Sequence, residues 1–327
     1  MIRSRRMMIR RRFAVAICTI LLGWPVCSPS EVTNPDGSSL DAVPDTQLVY
    51  VSDYFSFVGQ DNHGHVAFAL DNNRGRDGEA YQAEHFLALH DERKGWITMT
   101  GNGRFDDIEK ELQWIPDSRY FRFHGTPRSG MLIASKSNRI TLQVDAIPQR
   151  TIHRHNGAVA WMGSAPAVLT WNDRTIPGRV IYEHLMMPGL NRLARTYWDI
   201  WKEFQGIYLQ ADKNDDVYLH SQLSERLTPL IGKREGFAGF SGLTESMEDL
   251  QVEVLEQHWA WGFYGWPSAW RITWTGPKGK AVLTLNETTR RTIANWVIGG
   301  FSMSVVRGEL QYGGKTRQVY GFAELIM

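Results

Sequence analysis

Short stretches in which apolar side chains recur at every second residue run along most of this chain, and they constrain its fold more than any other feature. In Gln47–Val58, Val49, Val51, Phe55 and Phe57 share one face, while Tyr50, Tyr54 and Val58 occupy the other. A polar turn at Gln60–Gly64 leads into His65–Leu70 and predicts a hairpin. Tyr81–His90 sets Tyr81, Ala83, His85, Leu87 and Leu89 against Gln82, Glu84, Phe86 and His90. Arg139–Ala146, Ala167–Trp171 and Gly178–Leu185 are further strands, and Gly313-Gly314 joins Ser302–Tyr312 to Thr316–Leu325 as a two-residue hairpin. Many short strands at this spacing predict an all-β protein of antiparallel barrels or strongly bent sandwiches.

One segment follows a different period. Leu190, Leu193, Ala194, Tyr197, Trp198 and Trp201 recur at helical spacing within Leu190–Gln205, after Pro188-Gly189 and before Gly206. This predicts a central amphipathic helix of about four turns. It falls between two strand-rich halves, 47–187 and 188–327, and would either buttress a barrel or bridge a ligand cavity as a lid.

The N-terminus reads as an address. Six arginines crowd the first twelve positions, and an apolar run of 14 residues, Phe13–Val26, follows. That is the pattern of a secretory signal over 1–27, with a Ser/Pro/Asp/Gly-rich linker at 28–46. Ser4-Arg5-Arg6-Met7-Met8-Ile9-Arg10 also resembles a twin-arginine signal. The expected location is periplasmic or secreted. Cys27 stands either at a lipoprotein's acylation position or beside a plain cleavage site, and membrane association would run through this segment. Cys18 leaves with the leader, so no internal disulfide is available. Removing the leader turns a balance of 36 basic against 35 acidic residues into a mildly acidic body. Such a body lacks a phosphate-neutralising surface, which excludes nucleic acid as a partner.

The familiar catalytic signatures are missing. There is no Gly-x-Ser-x-Gly elbow, phosphate loop or dinucleotide fingerprint, and thiol catalysis has no cysteine to use. His63-x-His65 and His153-x-His155 read as loop histidines without an acidic third ligand. Asp71–Gly78 and Asp212–Asp216 echo calcium loops faintly, lack the EF-hand glycine and glutamate, and read as polar turns. No metal site and no cofactor is expected. Tryptophan is abundant, with 13 residues. Trp198, Trp201, Trp259, Trp261, Trp270 and Trp274 crowd the C-terminal half, Trp270 and Trp274 following a turn at Gly265-Trp266-Pro267. Indole N–H groups need partners, so these rings either line a cavity for an apolar ligand or pack between sheets.

Alternation in Gly178–Leu185 puts Tyr182 and His184 on one face and Glu183 on the other; Val217–His220 likewise aligns Tyr218 with His220. Two Tyr/His pairs facing a common barrel interior could move a proton in an apolar pocket, or could form a hydrogen-bonded network that only fixes the fold.

Several pieces together resemble the tandem-lipocalin (calycin) superfamily that includes hydroxyneurosporene synthase, a carotenoid 1,2-hydratase. They are Tyr50–Phe57, Tyr81–Phe86, Tyr182-Glu183-His184, Trp198-Asp199-Ile200-Trp201, Val306-Arg307-Gly308-Glu309 and Tyr320–Glu324. The resemblance implies two lipocalin-like antiparallel β-barrels in tandem. It implies that Glu183-His184 matches the hydratase's Asp-His pair and Tyr218 the tyrosine of its Tyr-x-Asp. Two positions depart from that pattern: His220 replaces the proton-donating aspartate, and Met186 replaces a tryptophan. An imidazolium is a weak acid for protonating an unactivated alkene.

Two functions are therefore expected of the chain. The first is an exported carrier of a lipid, isoprenoid or similar apolar molecule, held by Tyr182, Trp198, Trp201, Trp259, Trp261, Trp270 and Trp274. The alternative is an enzyme of the hydroxyneurosporene synthase type, acting on an isoprenoid or polyene by acid-assisted hydration, cyclisation or isomerisation through Glu183, His184, Tyr218 and His220. A purely structural role is the remaining possibility.

Overall fold

The alternating segments form strands, and most consecutive strands pair antiparallel. The computed structural model describes residues 31–33, 48–77, 80–98, 115, 117, 120–135, 139–155, 158–188, 204–212, 215–222, 235–241, 243–260, 264–296 and 299–326. The first sheet holds β1 (Glu31–Thr33), β2 (Leu48–Asp61), β3 (Gly64–Asp77), β4 (Ala80–Asp91), β5 (Gly95–Thr98), β6 (Phe121–Thr126), β7 (Gly130–Ser135), β8 (Ile140–Val144), β9 (Arg150–His155), β10 (Ala158–Trp171) and β11 (Arg174–Pro188). The second holds β12 (Phe204–Asp212), β13 (Asp215–Gln222), β14 (Glu235–Phe240), β15 (Leu243–Ser246), β16 (Glu248–Ala260), β17 (Tyr264–Gly276), β18 (Gly279–Trp296), β19 (Gly299–Tyr312) and β20 (Lys315–Ile326).

The two sheets repeat one topology. The first runs β5-β4-β3-β2-β11-β10-β8-β7-β6, with β9 pairing β10 and β1; the second runs β15-β14-β13-β12-β20-β19-β18-β17-β16. In each, a meander curls until its last strand pairs with its first, β11 on β2 and β20 on β12. The result is two curled half-barrels. Tight turns set the register: Gly313 and Gly314 both take positive φ (60° and 71°), as a type I′ hairpin requires.

Alternation then distributes the side chains among three cores. Phe55, Phe57, Phe68, Leu70, Leu87, Trp161 and Tyr182 fill the concave face of the first sheet. Ile207, Leu209, Trp270, Trp274, Leu283 and Leu325 fill that of the second. The opposite faces of β2–β4 and β11 pack against those of β12–β14, β19 and β20 through Tyr54, Val58, Phe86, Ile181, Tyr208, Tyr218, Phe237, Val305 and Phe322. Each fully buried Leu or Phe contributes about 1.5–3 kcal/mol, so all three layers are substantial. Polar links also cross between the sheets: Arg179 to Asp216 (3.6 Å), Arg307 to Glu92 (2.6 Å), and Trp96 Nε1 donating to Thr289 Oγ1 (3.3 Å).

Several expectations are corrected. Asp71–Asp77 of the polar run is strand rather than turn: β3 continues to Asp77, paired with β2 and β4, and Asp71 accepts from Ser52 on β2 and from Asn73 on its own strand; Gly78 lies outside the described residues. Gly265-Trp266-Pro267 lies inside β17. Pro267 pairs with Gln257 where the register of β16 shifts, and a bulge tolerates the missing N–H. His153 and His155 belong to β9, and Glu31–Thr33, within the expected linker, pairs with β9 as β1. Of the predicted helix, 190–203 lie outside the described residues, and Phe204 and Gln205 open β12 instead. There, pairing to β20 and β13 overrides helical periodicity. Trp198, Trp201 and Trp261 also lie outside the described residues; Trp259 is a residue of β16 and His220 of β13.

Candidate active site

On β11, Val180 and Tyr182 face the concave core, and the two-residue period carries His184 to the same face. Register aligns five residues across the sheet: Trp161 (β10), His184 (β11), Asp53 (β2), Asn72 (β3) and His85 (β4). Their neighbours two residues away, Phe55, Leu70, Leu87 and Tyr182, belong to the first core, so the row faces inward.

Asp53 is the centre of this row. It is 0% exposed, and its Oδ1 accepts a hydrogen bond from the Tyr182 hydroxyl and another from His184 Nδ1 at 2.7 Å. A carboxylate oxygen that accepts from Nδ1 fixes the imidazole tautomer and makes Nε2 the proton-exchanging position. Aromatic rings wall the group. Phe55 stacks on Tyr182 at 4.6 Å, Trp161 meets Tyr182 edge-on at 5.1 Å, and Trp161 lies 5.6 Å from the His184 ring. Beside Asp53, Asn72 is 1% exposed and its Nδ2 has no hydrogen-bond partner among the described residues. His85 is buried against Phe121 and Phe123.

The far end of this half-barrel is plugged. Arg174 pairs with Asp61 at 2.9 Å and with Asp91, and the Trp171 ring lies beneath Arg174 and Lys94. Aliphatic and aromatic layers separate that plug from the polar row, which sits near the start of β2 and the end of β11.

The repeated topology supplies an internal control. At the stations of Asp53 and His184, the second sheet has Gln205 on β12 paired with Leu325 on β20. Gln205 accepts from the Trp270 indole N–H at 2.9 Å, and Trp270 and Trp274 are packed within the second core. The acid–base group is thus present in one half-barrel and replaced by packing in the other.

Glu183 points the opposite way and joins a second cluster between the sheets. Register places Tyr54 beside it and Asp71 one strand beyond Tyr54, and the rings of Tyr54, Tyr208 and Tyr218 follow one another in tilted contacts at 5.0 and 5.1 Å. Asp71 accepts from Ser52 Oγ (2.9 Å) and Asn73 Nδ2 (2.7 Å). Burial, and then the Asp71 charge, push the Glu183 carboxyl up to about 8. Burial with Asp71 and Glu183 lifts Glu324 well above the usual carboxylate range, against hydrogen bonds from Tyr54 and Tyr208.

The structure therefore separates residues that the sequence grouped. Glu183 and His184 lie on opposite faces of β11, and Tyr218 joins Glu183 rather than sharing an interior with Tyr182 and His184. Alternation had kept Glu183 apart from His184, but it could not decide which sheet face met Tyr218. Sequence reasoning missed Asp53, Asn72, Asp71 and Glu324. Asp53 did carry a signal, since it occupies the same phase of β2 as Val51, Phe55 and Phe57, where a charge needs a partner.

Two curled meanders packed through their convex faces define the tandem lipocalin-like class, which is the fold of this chain. Solved structures share it. A candidate AttH of Nitrosomonas europaea matches with a TM-score of 0.56 at 10% identity, over 85% of this chain and 92% of that one. Kievitone hydratase from Nectria haematococca matches with a TM-score of 0.52 at 11% identity, over 92% and 97%. CghA with Sch210972 matches with a TM-score of 0.52 at 10% identity, over 85% and 88%. The sequence matches no family profile and no curated protein sequence.

Proposed function

We propose that the protein is an enzyme that adds or removes a proton on a largely apolar molecule, by hydration, cyclisation or isomerisation. The observation that carries this reading is the buried Asp53–His184 pair, walled by Trp161, Phe55 and Tyr182 and replaced by Gln205 and Leu325 in the duplicate half-barrel. A packing network alone would not need a wholly buried carboxylate aimed at an imidazole, since the second half-barrel fills the same station with neutral groups. The shared fold with a hydratase supports the same direction.

In this mechanism Asp53 holds His184 through Nδ1, and Nε2 passes a proton to or from the bound molecule. Tyr182 shares the charge on Asp53, while the rings shield the transferred proton from bulk water. The arginine-rich leader supports an exported site for this reaction.

All three reaction types leave a solvent-derived hydrogen on carbon. Incubation with apolar isoprenoids and polyenes whose double bonds are conjugated, in D2O and read by mass spectrometry, tests the reading. The wild type is expected to incorporate deuterium at carbon, and H184A to lose about 10²–10⁴-fold in rate with binding nearly unchanged. Saturable binding without incorporation would replace the enzyme by a carrier.

A further inference from the structure

Asn72 is a buried amide whose Nδ2 donates to nothing among the described residues, beside an Asp53 carboxylate already committed to Tyr182 and His184. Leaving a buried donor unmade costs folding free energy, so each such group calls for an explanation, and a ligand that accepts from it supplies one beside a proton-transfer group. Its position is specific: in register between Asp53 and His85, on the concave face, one strand from the imidazole's carboxylate. Opposite Asp53, on its other side, stands His184. A molecule bound over this row would meet a proton-transfer group from β11 and a neutral N–H donor from β3.

We infer that Asn72 receives a carbonyl oxygen of the substrate, so that the substrate class is an apolar molecule bearing an α,β-unsaturated carbonyl. This deepens the proton-transfer reading above and rests on it. An imidazole is too weak an acid for an isolated alkene, but it suffices for a conjugated one because the charge then develops on oxygen. Water adds through its oxygen to the β carbon while His184 Nε2 takes its proton. The alkene π pair shifts toward the carbonyl, whose oxygen becomes an enolate held by Asn72 Nδ2–H. The imidazolium then returns the proton to the α carbon, giving the β-hydroxy ketone with no oxidant or reductant. The reverse sequence eliminates water. Asp53 stays ionised throughout and keeps the ring in place.

Chalcone and 1,3-diphenylpropene form a matched probe pair that differs only in carbonyl against methylene. Titration calorimetry on the full chain is expected to show chalcone bound at least tenfold more tightly, because a site with a buried donor rejects the analogue lacking an acceptor. N72L should bring the two affinities within twofold while raising the melting temperature of the free protein, since it removes an unpaired polar group. H184A should keep the preference and lose formation of the β-hydroxy ketone. Equal binding of both probes by the wild type, or a preference that survives N72L, would overturn the Asn72 assignment and leave the His184 reading standing. Failure of both probes to bind would overturn both. Destabilisation by N72L with the preference intact would make Asn72 structural and also overturn the assignment.

Discussion

Replacing Glu183 by glutamine should stabilise the protein at neutral and alkaline pH. The carboxyl is buried between the sheets, facing Asp71 from β3, Tyr54 from β2, and Tyr208 and Glu324 from the second sheet. Burial and Asp71 raise it from 4.5 to about 8, so the native protein binds a proton that the unfolded chain releases at pH 7. With a raised native value, the stability this group permits is full below about pH 4.5 and is lost as pH climbs through 8. At about 1.4 kcal/mol per unit, the penalty reaches roughly 3 kcal/mol at pH 7 and roughly 5 kcal/mol above pH 8. E183Q cannot ionise and escapes it; imperfect hydrogen bonding of the amide would return about 1 kcal/mol. Urea unfolding of wild type and E183Q at pH 5, 7 and 9 is the assay. The difference in unfolding free energy should grow by about 2–4 kcal/mol across that range, in favour of E183Q. Any slope left in E183Q belongs to Glu324 and to Asp216, whose burial raises it to about 6 against Arg179 and Ser164. Equal slopes in the two proteins would refute the assignment of a protonated carboxyl to this interface.

Two further outcomes follow from the plug and from the duplicate core. R174A leaves Asp61 and Asp91 without their shared cation, and should cost about 3–5 kcal/mol in urea unfolding; a loss below 1 kcal/mol would mean the plug is solvent-screened. W270F removes the indole N–H that Gln205 accepts in the second core and should cost about 1–3 kcal/mol while leaving chalcone affinity unchanged. If affinity falls tenfold at unchanged stability, Trp270 belongs to the ligand site after all.

The sequence by itself determined the all-β class, the hairpins at Gln60–Gly64 and Gly313-Gly314, and the opposition of His184 and Glu183 across β11. These are local consequences of a two-residue period and of turn chemistry, so one chain read in order suffices for them. It misjudged Asp71–Asp77, where polarity suggested a turn, because the pairing of β3 with β2 and β4, and the Ser52 hydroxyl that Asp71 accepts from, come from other strands. Only the tertiary structure decided which residues meet. Asp53 and His184 are 131 positions apart, and register between β2 and β11 brings them to 2.7 Å. The packing of two convex faces brings Glu183 and Glu324 together beside Asp71 and raises the affinity of Glu183 and Glu324 for protons. Duplication of the meander separates a half-barrel with acid–base groups from one filled with indole rings, a distinction that depends on register across both sheets and that composition does not carry.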